Sequence, residues 1–483
     1  MKKQYLLGID LGSSSVKVSM VDVASGRCVA SSSYPEREAP IKALQPGWAE
    51  QRPDDWWDYL KVALCRTMKD GGIAGEDIAA IGISYQMHGL VCLDKDCRTL
   101  RDAIIWCDSR GVPYGERLAR DKGETWCMEH LFNLPGNFTA SKLAWVQDKE
   151  PELYAQIHYI MLPGDWLAMR LGCEAATTAC GLSEMMLWDY REHSAVECAK
   201  LPPLVSTFGL QGRVSAAAAD ELGLSAGTPI TYRAGDQPNN ALSLAVLAPG
   251  EVAATAGTSG VVYGVVDNGE RRATEGLNTF LHVNHKLGMM HCVNGCGIMN
   301  SWMRHTVAPT MNYDDINRLA AQAPAGCDGL TILPFGNGAE RVLANQSIGA
   351  SIHNIDFNRH GQAHLLRAAQ EGVAFAMVYG MEKIGGIKVI RAGRANMFLS
   401  PLFRETIAAI SGASIELYDT DGSIGAARGA GLGVGIYASA KEAFATLQCL
   451  LTVEPQASNA INEAYARWKE CLSATLQRPR FSE

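Results

Sequence analysis

Residues 10–22, Asp-Leu-Gly-Ser-Ser-Ser-Val-Lys-Val-Ser-Met-Val-Asp, align without a gap on residues 255–267, Thr-Ala-Gly-Thr-Ser-Gly-Val-Val-Tyr-Gly-Val-Val-Asp. Five of the thirteen positions are identical: a glycine, a serine, two valines and an aspartate. Both segments combine a glycine- and hydroxyl-rich turn with a following apolar strand. Either two strands of ordinary composition match by chance, or the chain contains a duplication. A duplication predicts an α/β protein of two related halves, each opening with a β-hairpin around a Gly-hydroxyl turn.

Hydrophobic patterning predicts further elements in both halves. A glycine- and alanine-rich helix stands out near the end of the chain, with Ser423 as its predicted N-cap. The predicted strands cover residues 5–10, 16–22, 28–33, 78–84 and 414–419, and the predicted helices cover residues 53–69, 364–384, 401–411, 423–437 and 458–475.

Composition narrows the class of protein. The 483 residues are 47% hydrophobic and 19% charged, which predicts an ordinary globular chain of two or three domains. Acidic residues outnumber basic ones by 51 to 43 and no basic patch occurs, so we expect neither nucleic acid nor a membrane surface as a partner. The apolar run before Asp10 is too short for a signal segment, and the 14 cysteines include no CxxC pair. We therefore expect a cytoplasmic protein with reduced thiols.

The two Gly-hydroxyl turns, Gly12–Ser15 and Gly257–Gly260, are candidate phosphate sites. Glycine removes the Cβ obstacle, and successive backbone amides can then surround phosphate oxygens. Most single turns of this kind are only turns, but a matched pair in two related halves suits a phosphate chain held between them. No GxxxxGK[ST] string is present, which excludes a P-loop.

Two aspartates follow predicted strands. Asp10 ends the first strand beside the first turn, where a carboxylate can bind Mg²⁺ or simply cap the turn. Asp236, in Tyr-Arg-Ala-Gly-Asp-Gln, lies between an extended segment and a helix. It can take a proton from a substrate hydroxyl during phosphoryl transfer, or serve only as a helix N-cap.

Other polar clusters are less specific. The strings Gln86–Gly89 and Trp106–Arg110 each follow a buried strand, where open α/β folds bind ligands, although polar loops also occur there. His282, His285, His291 and Cys292 raise the question of zinc, but their segment implies no ligand geometry.

These motifs together resemble the FGGY family of carbohydrate kinases over nearly the whole chain. The string Gln86-Met-His-Gly89 is similar to that of xylulose-using members. The other strings that carry the resemblance are Gly8–Lys17, Gln45–Glu50 with Trp56 and Trp57, Phe138–Val146, Leu162–Leu167, Gly235–Asp236, Gly257–Gly260 and Arg367–Val373.

The resemblance implies an α/β fold of two duplicated domains, actin-like and related to ribonuclease H, around a central cleft. It divides the chain into an N-terminal domain at residues 1–243 and a C-terminal, nucleotide-binding domain at residues 244–483. The implied activity is phosphorylation of a ketose by ATP and Mg²⁺, D-xylulose to D-xylulose 5-phosphate. The alternatives are a kinase for ribulose, glycerol or gluconate, and a catalytically weak sensor of sugar or nucleotide. A homodimer is a family-level expectation.

The resemblance also implies roles for individual residues. Asp236 would be the general base, and Asp10 the second catalytic carboxylate and the metal ligand. The sugar would be bound by Met87, His88, Trp106, Asp108, Asp236 and Gln237, and the nucleotide by Gly12, Ser13, Ser14, Lys17, Gly257, Thr258, Gly393 and Asn396.

The chain departs from the family pattern at four places. Gln237 replaces an asparagine after the base, and Cys107 replaces an asparagine that could bind the sugar. The Gly-Glu-Arg-Thr-Pro string is reduced to Gly-Ala-Glu-Arg-Val at residues 338–342. A glycine-rich turn on the adenine side becomes Arg-Ala-Gly-Arg-Ala-Asn at residues 391–396, so the nucleotide contacts are the least constrained part of the prediction.

Overall fold

The computed structural model describes residues 4–267 and 274–477, and within these ranges the chain forms two large mixed β-sheets, each flanked by helices. The strands are β1 (Tyr5–Leu11), β2 (Val16–Asp22), β3 (Cys28–Tyr34), β4 (Glu50–Gln51), β5 (Ile78–Tyr85), β6 (Val91–Leu93), β7 (Ala103–Ile104), β8 (Tyr159–Met161), β9 (Thr177–Thr178), β10 (Trp188–Asp189), β11 (Ser194–Ala195), β12 (Leu204–Val205), β13 (Phe208–Arg213), β14 (Pro229–Gly235), β15 (Glu251–Ala256), β16 (Gly260–Val266), β17 (Asn278–Leu281), β18 (Leu287–Val293), β19 (Thr331–Leu333), β20 (Ser351–His353), β21 (Val389–Gly393), β22 (Ser414–Tyr418) and β23 (Cys449–Val453).

The helices cover both sheets. They are α1 (Pro53–Gly71), α2 (Val112–Lys122), α3 (Glu124–His130), α4 (Thr139–Lys149), α5 (Pro151–Gln156), α6 (Pro163–Leu171), α7 (Ala179–Met185), α8 (Ala216–Leu222), α9 (Asp236–Ser243), α10 (Gly297–Thr306), α11 (Tyr313–Ala320), α12 (Gln362–Ile384), α13 (Pro401–Ser411), α14 (Gly422–Gly433), α15 (Ala440–Ala443) and α16 (Asn459–Leu476). Among the described residues, none of these helices is both long and apolar enough to cross a membrane.

The two sheets have the same topology, which confirms the predicted duplicated fold. The first sheet has the order β3-β2-β1-β5-β14-β13, and the second contains β18-β16-β15-β21-β22-β23 with β17 added at one edge. Each opens with an antiparallel hairpin, β1 with β2 and β15 with β16, and continues through two parallel pairs. The aligned segments 10–22 and 255–267 therefore occupy equivalent places in the two sheets.

Strand register places the predicted site at one edge of the first sheet. The parallel strands β1, β5 and β14 lie side by side, with Asp10 opposite Ser84 and Gly235 opposite Tyr85. Because parallel strands end at the same edge, Asp10, the Gln86–Gly89 loop and Asp236 all lie where ligands bind in α/β sheets.

Two helices are exchanged between the halves. Helix α14 follows β22 of the second sheet but packs on β1 and β5 of the first, while α9 follows β14 and contacts β15 and β16 of the second. Glycines permit the close approach of α14, since a Cβ built on Gly8 would lie 1.8 Å from the Ser423 carbonyl oxygen. The prediction of the N-cap of α14 was wrong: Asp421, not Ser423, accepts from the Ile424 amide at 3.0 Å. The division at residues 243 and 244 stays a prediction, because these exchanged helices cross it.

Candidate active site

A cavity of about 440 Å³ opens between the two halves at the edge where β1, β5 and β14 end. We call it the central cavity. Residues of both halves line it: Asp10, Gly12, Ser13, Ser14, Ser15, Lys17, Gln86, Met87, His88, Trp106, Asp236 and Gln237 from the first, and Ser259, Val261, Met290 and Cys292 from the second. The structure therefore brings together ten of the predicted site residues.

Asp236 is the first residue of α9 and lies directly after β14. The protein around it desolvates the carboxyl group, and the charge of Asp10 adds to this effect, so that its pKa rises to about 7. A carboxyl group with this pKa can take up a proton near neutral pH.

Asp10 lies one residue before the end of β1, beside the N-terminus of α14, where a Cβ built on Gly422 would lie 2.5 Å from its Oδ2. Burial raises the pKa of Asp10, and the nearby Asp421 carboxylate acts in the same direction. Lys17 provides positive charge at this end of the cavity, and its Nζ lies 2.5 Å from Asp421 Oδ2. The cavity thus contains carboxylate oxygens next to the first Gly-hydroxyl turn.

The backbone of His88 has left-handed geometry, with φ 61°, and buried groups hold it from both sides. Its amide donates to Glu184 Oε2 at 3.2 Å, and Lys142 Nζ donates to its carbonyl oxygen at 2.8 Å. The imidazole packs against Phe138 and Phe280, with ring centroids 4.6 and 5.4 Å away. Burial, followed by the charge of Lys142, lowers the pKa of His88 to about 3, so the ring is neutral.

Trp106 forms one wall of the central cavity and is 49% exposed. Its Nε1 donates to Ser13 Oγ at 3.2 Å, which ties the first turn to this wall. Such a large, partly exposed indole beside polar groups suits the apolar face of a sugar ring.

Asp108 does not reach the central cavity, which corrects its prediction as a sugar ligand. It is fully buried, and Arg110 binds its Oδ2 at 2.7 Å. The Ala49 amide donates to the same oxygen at 2.5 Å. Arg110 in turn lies over Trp48 with its guanidinium carbon 3.7 Å from the ring centroid. Because these partners occupy its carboxylate, Asp108 stabilises the loop that carries Trp106.

A second cavity of about 460 Å³ adjoins the second Gly-hydroxyl turn. We call it the side cavity. Gly257, Thr258 and Asn396 of the predicted nucleotide site line it. Polar side chains that were not predicted to bind the nucleotide also line it: Asn300, Ser301, Tyr313, Asp314, Asn317, Gln370 and Ser400.

Gly393 is not among the residues that line the side cavity; it ends β21 three residues before Asn396. Arg391, which stands in place of a small residue of the family pattern, pairs with Glu416 at 2.9 Å and with Glu251 at 3.3 Å. This arginine therefore stabilises the second sheet.

The histidines that raised the question of zinc do not form a metal site. His291 is buried, and its Nε2 lies 3.0 Å from the Ala376 carbonyl oxygen. Within residues 4–267 and 274–477 no group of three or more His, Cys, Asp or Glu side chains could hold a metal ion.

Sequence reasoning missed Glu184, which lies beneath the central cavity. It is 2% exposed, accepts from the Tyr85 hydroxyl at 2.7 Å, and has a pKa that burial raises well above its ordinary value. The available signal was a lone charge within the otherwise apolar or small residues of α7, Ala-Cys-Gly-Leu-Ser-Glu-Met.

Two models of one protein family match most of the chain. The N-terminal domain of the FGGY family of carbohydrate kinases matches residues 5–243, and the C-terminal domain of that family matches residues 252–432.

Individual proteins show the same likeness. The xylulose kinase of Bacillus subtilis is 29% identical over 394 residues, which cover 78% of this chain and 77% of the relative. The L-xylulose/3-keto-L-gulonate kinase of Escherichia coli is 28% identical over 98% of this chain and 97% of the relative. The crystal structure of a ligand-bound xylulose kinase from Lactobacillus acidophilus superposes with a TM-score of 0.89, at 21% identity, over 98% of this chain and 99% of that chain.

Proposed function

The chain belongs to the FGGY family of carbohydrate kinases, and from this premise we propose that it transfers the γ-phosphoryl group of ATP to D-xylulose, giving D-xylulose 5-phosphate. One observation carries the proposal. The central cavity joins a carboxyl group with a pKa of about 7, Asp236, to the neutral imidazole of His88. Xylulose kinases among the relatives support the choice of sugar.

Asp236 is the proposed general base. The substrate hydroxyl oxygen attacks the γ-phosphorus, the bond from that phosphorus to the ADP oxygen breaks, and the hydroxyl proton passes to the Asp236 carboxylate. The position of Asp236 at a helix start fixes its carboxylate at the wall of the cavity. Gln237, Met87 and His88 would hold the sugar at this wall, with Trp106 beside it.

The nucleotide would extend from the side cavity to the central cavity. Asn396 and the polar side chains of the side cavity would bind adenosine, and the phosphates would lie between the two Gly-hydroxyl turns. The backbone of Gly257 and Thr258 is fixed from behind, because their carbonyl oxygens accept from the first two amides of α10. Lys17 lies at the first turn, where its ammonium can offset phosphate charge.

Asp10 fits a divalent cation. It offers hard carboxylate oxygens, and burial together with Asp421 raises its pKa, a cost that a bound cation would offset. Mg²⁺ held there with the nucleotide would neutralise charge on the phosphate oxygens.

A coupled assay of ADP release with a panel of sugars tests the proposal. We expect D-xylulose to exceed glycerol in kcat/KM by at least about 10²-fold, with D-ribulose between them, because a hydrogen-bonding site rejects analogues that lack matching hydroxyls. A preference for L-xylulose, gluconate or glycerol would keep the kinase and overturn the choice of sugar. Absence of ADP release with every sugar would instead favour a sensor.

A further inference from the structure

Glu184 is a buried acid without an ordinary counter-charge. No Lys or Arg side chain of the described residues pairs with it, and its nearest basic group is the neutral ring of His88, 3.9 Å from Oε2. Burying such a group costs free energy unless its oxygens accept hydrogen bonds. A leucine or methionine would fill the same space at lower cost, so the contacts that Glu184 makes indicate its purpose.

Those contacts converge on the floor of the central cavity. Its Oε1 accepts from the Tyr85 hydroxyl at the end of β5, and its Oε2 accepts from the His88 amide. A Cβ built on Gly235, the residue before Asp236, would lie 3.2 Å from both carboxyl oxygens. One side chain therefore touches the ends of two adjacent strands, from which the sugar-binding loop and the base both begin.

Glu184 also determines which nitrogen of His88 carries the proton. Its backbone carbonyl oxygen lies 3.0 Å from His88 Nδ1, and a carbonyl oxygen can only accept a hydrogen bond. The ring is neutral, so Nδ1 carries its single N–H and Nε2 carries a lone pair. No described residue makes a hydrogen bond to Nε2, and His88 lines the central cavity. The imidazole is thus preset as an acceptor.

We propose that Glu184 is a positioning residue that holds His88 in the left-handed conformation, with Nε2 placed to accept a hydrogen bond from one hydroxyl of the ketose. This inference rests on the proposed function. It specifies which partner donates the hydrogen bond: the sugar hydroxyl that contacts His88 must be the donor.

The test begins with Glu184→Ala and Glu184→Gln. The alanine variant should raise the KM for the ketose about tenfold or more and leave the KM for ATP within twofold. The glutamine variant should restore most of the affinity, because its Oε1 can accept from the His88 amide while its Nε2 donates to the Tyr85 hydroxyl oxygen. Glu371→Gln is the matched control, since Glu371 is equally buried at 2% exposed but pairs with Arg367 in the other half, and its ketose KM should not change.

A second variant keeps the test valid if Glu184→Ala does not fold. Tyr85→Phe removes one donor to Glu184 and should raise the ketose KM several-fold without changing the KM for ATP. An unchanged ketose KM in both folded variants would overturn the inference. Equal increases in both KM values would also overturn it, since they would indicate only general destabilisation.

Substrate analogues test the direction of the hydrogen bond. Fluorine cannot donate a hydrogen bond. At one carbon, the wild-type enzyme should therefore show the same decrease in kcat/KM, relative to the parent ketose, for the deoxy and the deoxyfluoro analogue. At that carbon the loss should shrink in Glu184→Ala. If the fluoro analogue instead matches the parent sugar at every carbon, His88 does not accept from the sugar and the inference is wrong.

A wild-type protein without ketose-dependent ADP release overturns the proposed function as well, whereas an active wild type with an unaffected Glu184→Ala overturns this inference alone.

Discussion

Asp236 and Asp108 show how neighbouring charge decides what a desolvated carboxyl group can do. Arg110 binds Asp108 and occupies its oxygens. No arginine or lysine of the described residues forms an ion pair with Asp236, and Asp10 raises its pKa further. The Asp108 carboxylate therefore stabilises a loop, and the Asp236 carboxylate can exchange a proton.

Replacement of Asp236 by asparagine should lower kcat by about 10²-fold or more while much of the sugar affinity remains, because the variant lacks the base. The raised pKa also sets the sign of the pH dependence. The base must be unprotonated, so kcat/KM of the wild type should fall as pH falls through about 7. Initial rates from pH 5.5 to 8.5 measure both effects. A variant with wild-type turnover would remove Asp236 from the mechanism.

Replacement of Asp10 by alanine should lower kcat strongly and weaken its dependence on Mg²⁺, since the variant loses the carboxylate nearest the first turn. Titration of activity with Mg²⁺ at fixed ATP measures this. Lys61→Ala, a surface substitution on α1, is the control and should keep the wild-type titration curve. If Asp10→Ala shows that same curve, Asp10 only caps a turn.

Among single residues, the sequence could predict those whose role depends on their position between neighbouring strands, turns and helices. Asp10 lies near the end of a buried strand before a turn, and Asp236 begins a helix directly after one, and both positions are visible in the sequence. Glu184 could not be predicted, because its partner His88 lies 96 residues away and nothing local brings them together. Asp108 was misassigned because the same string contains Arg110, and only the fold shows that the two bind each other.

At the scale of elements, the packing of α14 on the first sheet depends on glycine at a crossing point. A Cβ built on Gly82 of β5 would lie 2.0 Å from the backbone oxygen of Ala426. Gly82→Ala should therefore separate helix and strand and cost about 3 kcal/mol, which lowers Tm by several degrees. Gly361→Ala is the control, because its Cβ would point into open space and should change stability by less than about 1 kcal/mol. Equal Tm values for the two variants would contradict this packing.

The segment after β21 contains Asn396, which we expect to bind the nucleotide. Asn396 lines the side cavity, so Asn396→Ala should raise the KM for ATP several-fold, on the scale of about 1 kcal/mol for one hydrogen bond. The KM for the sugar should stay the same. Arg318→Ala, an exposed change on α11, is the control. An unchanged KM for ATP in Asn396→Ala would exclude this residue from the adenosine site.

Elements that depend on neighbouring residues were predictable, and the exchanged helices were not. The turns Gly12–Ser15 and Gly257–Gly260 define their hairpins locally, so both were confirmed. The glycines and alanines of α14 are visible in the sequence, but the sheet on which the helix packs is not. The contact that defines it, between Gly8 and Ser423, joins residues from opposite ends of the chain.

For the whole molecule, the exchange of α9 and α14 predicts coupled unfolding. Each helix buries apolar side chains against the sheet of the other half. Ala426 and Ala430 of α14 pack in one cluster with Leu6 and Ala80, and Ala241 of α9 packs in another with Ala253 and Tyr263. Neither half can unfold without exposing part of the other's core. Calorimetry of the full chain without ligands should therefore show one main transition. Two well-separated transitions would show that the helices dock without coupling the halves.

The exchange of α14 also has a consequence for synthesis. When the ribosome has completed the first sheet at Gly235, the face of β1 and β5 that Ala426 and Ala430 cover still lacks its helix, because residues 422–433 have not been made. The apolar strand surface of the nascent N-terminal half therefore stays exposed until most of the second half has been translated. We therefore expect the yield of folded protein in cells to depend on how quickly translation passes through the second half.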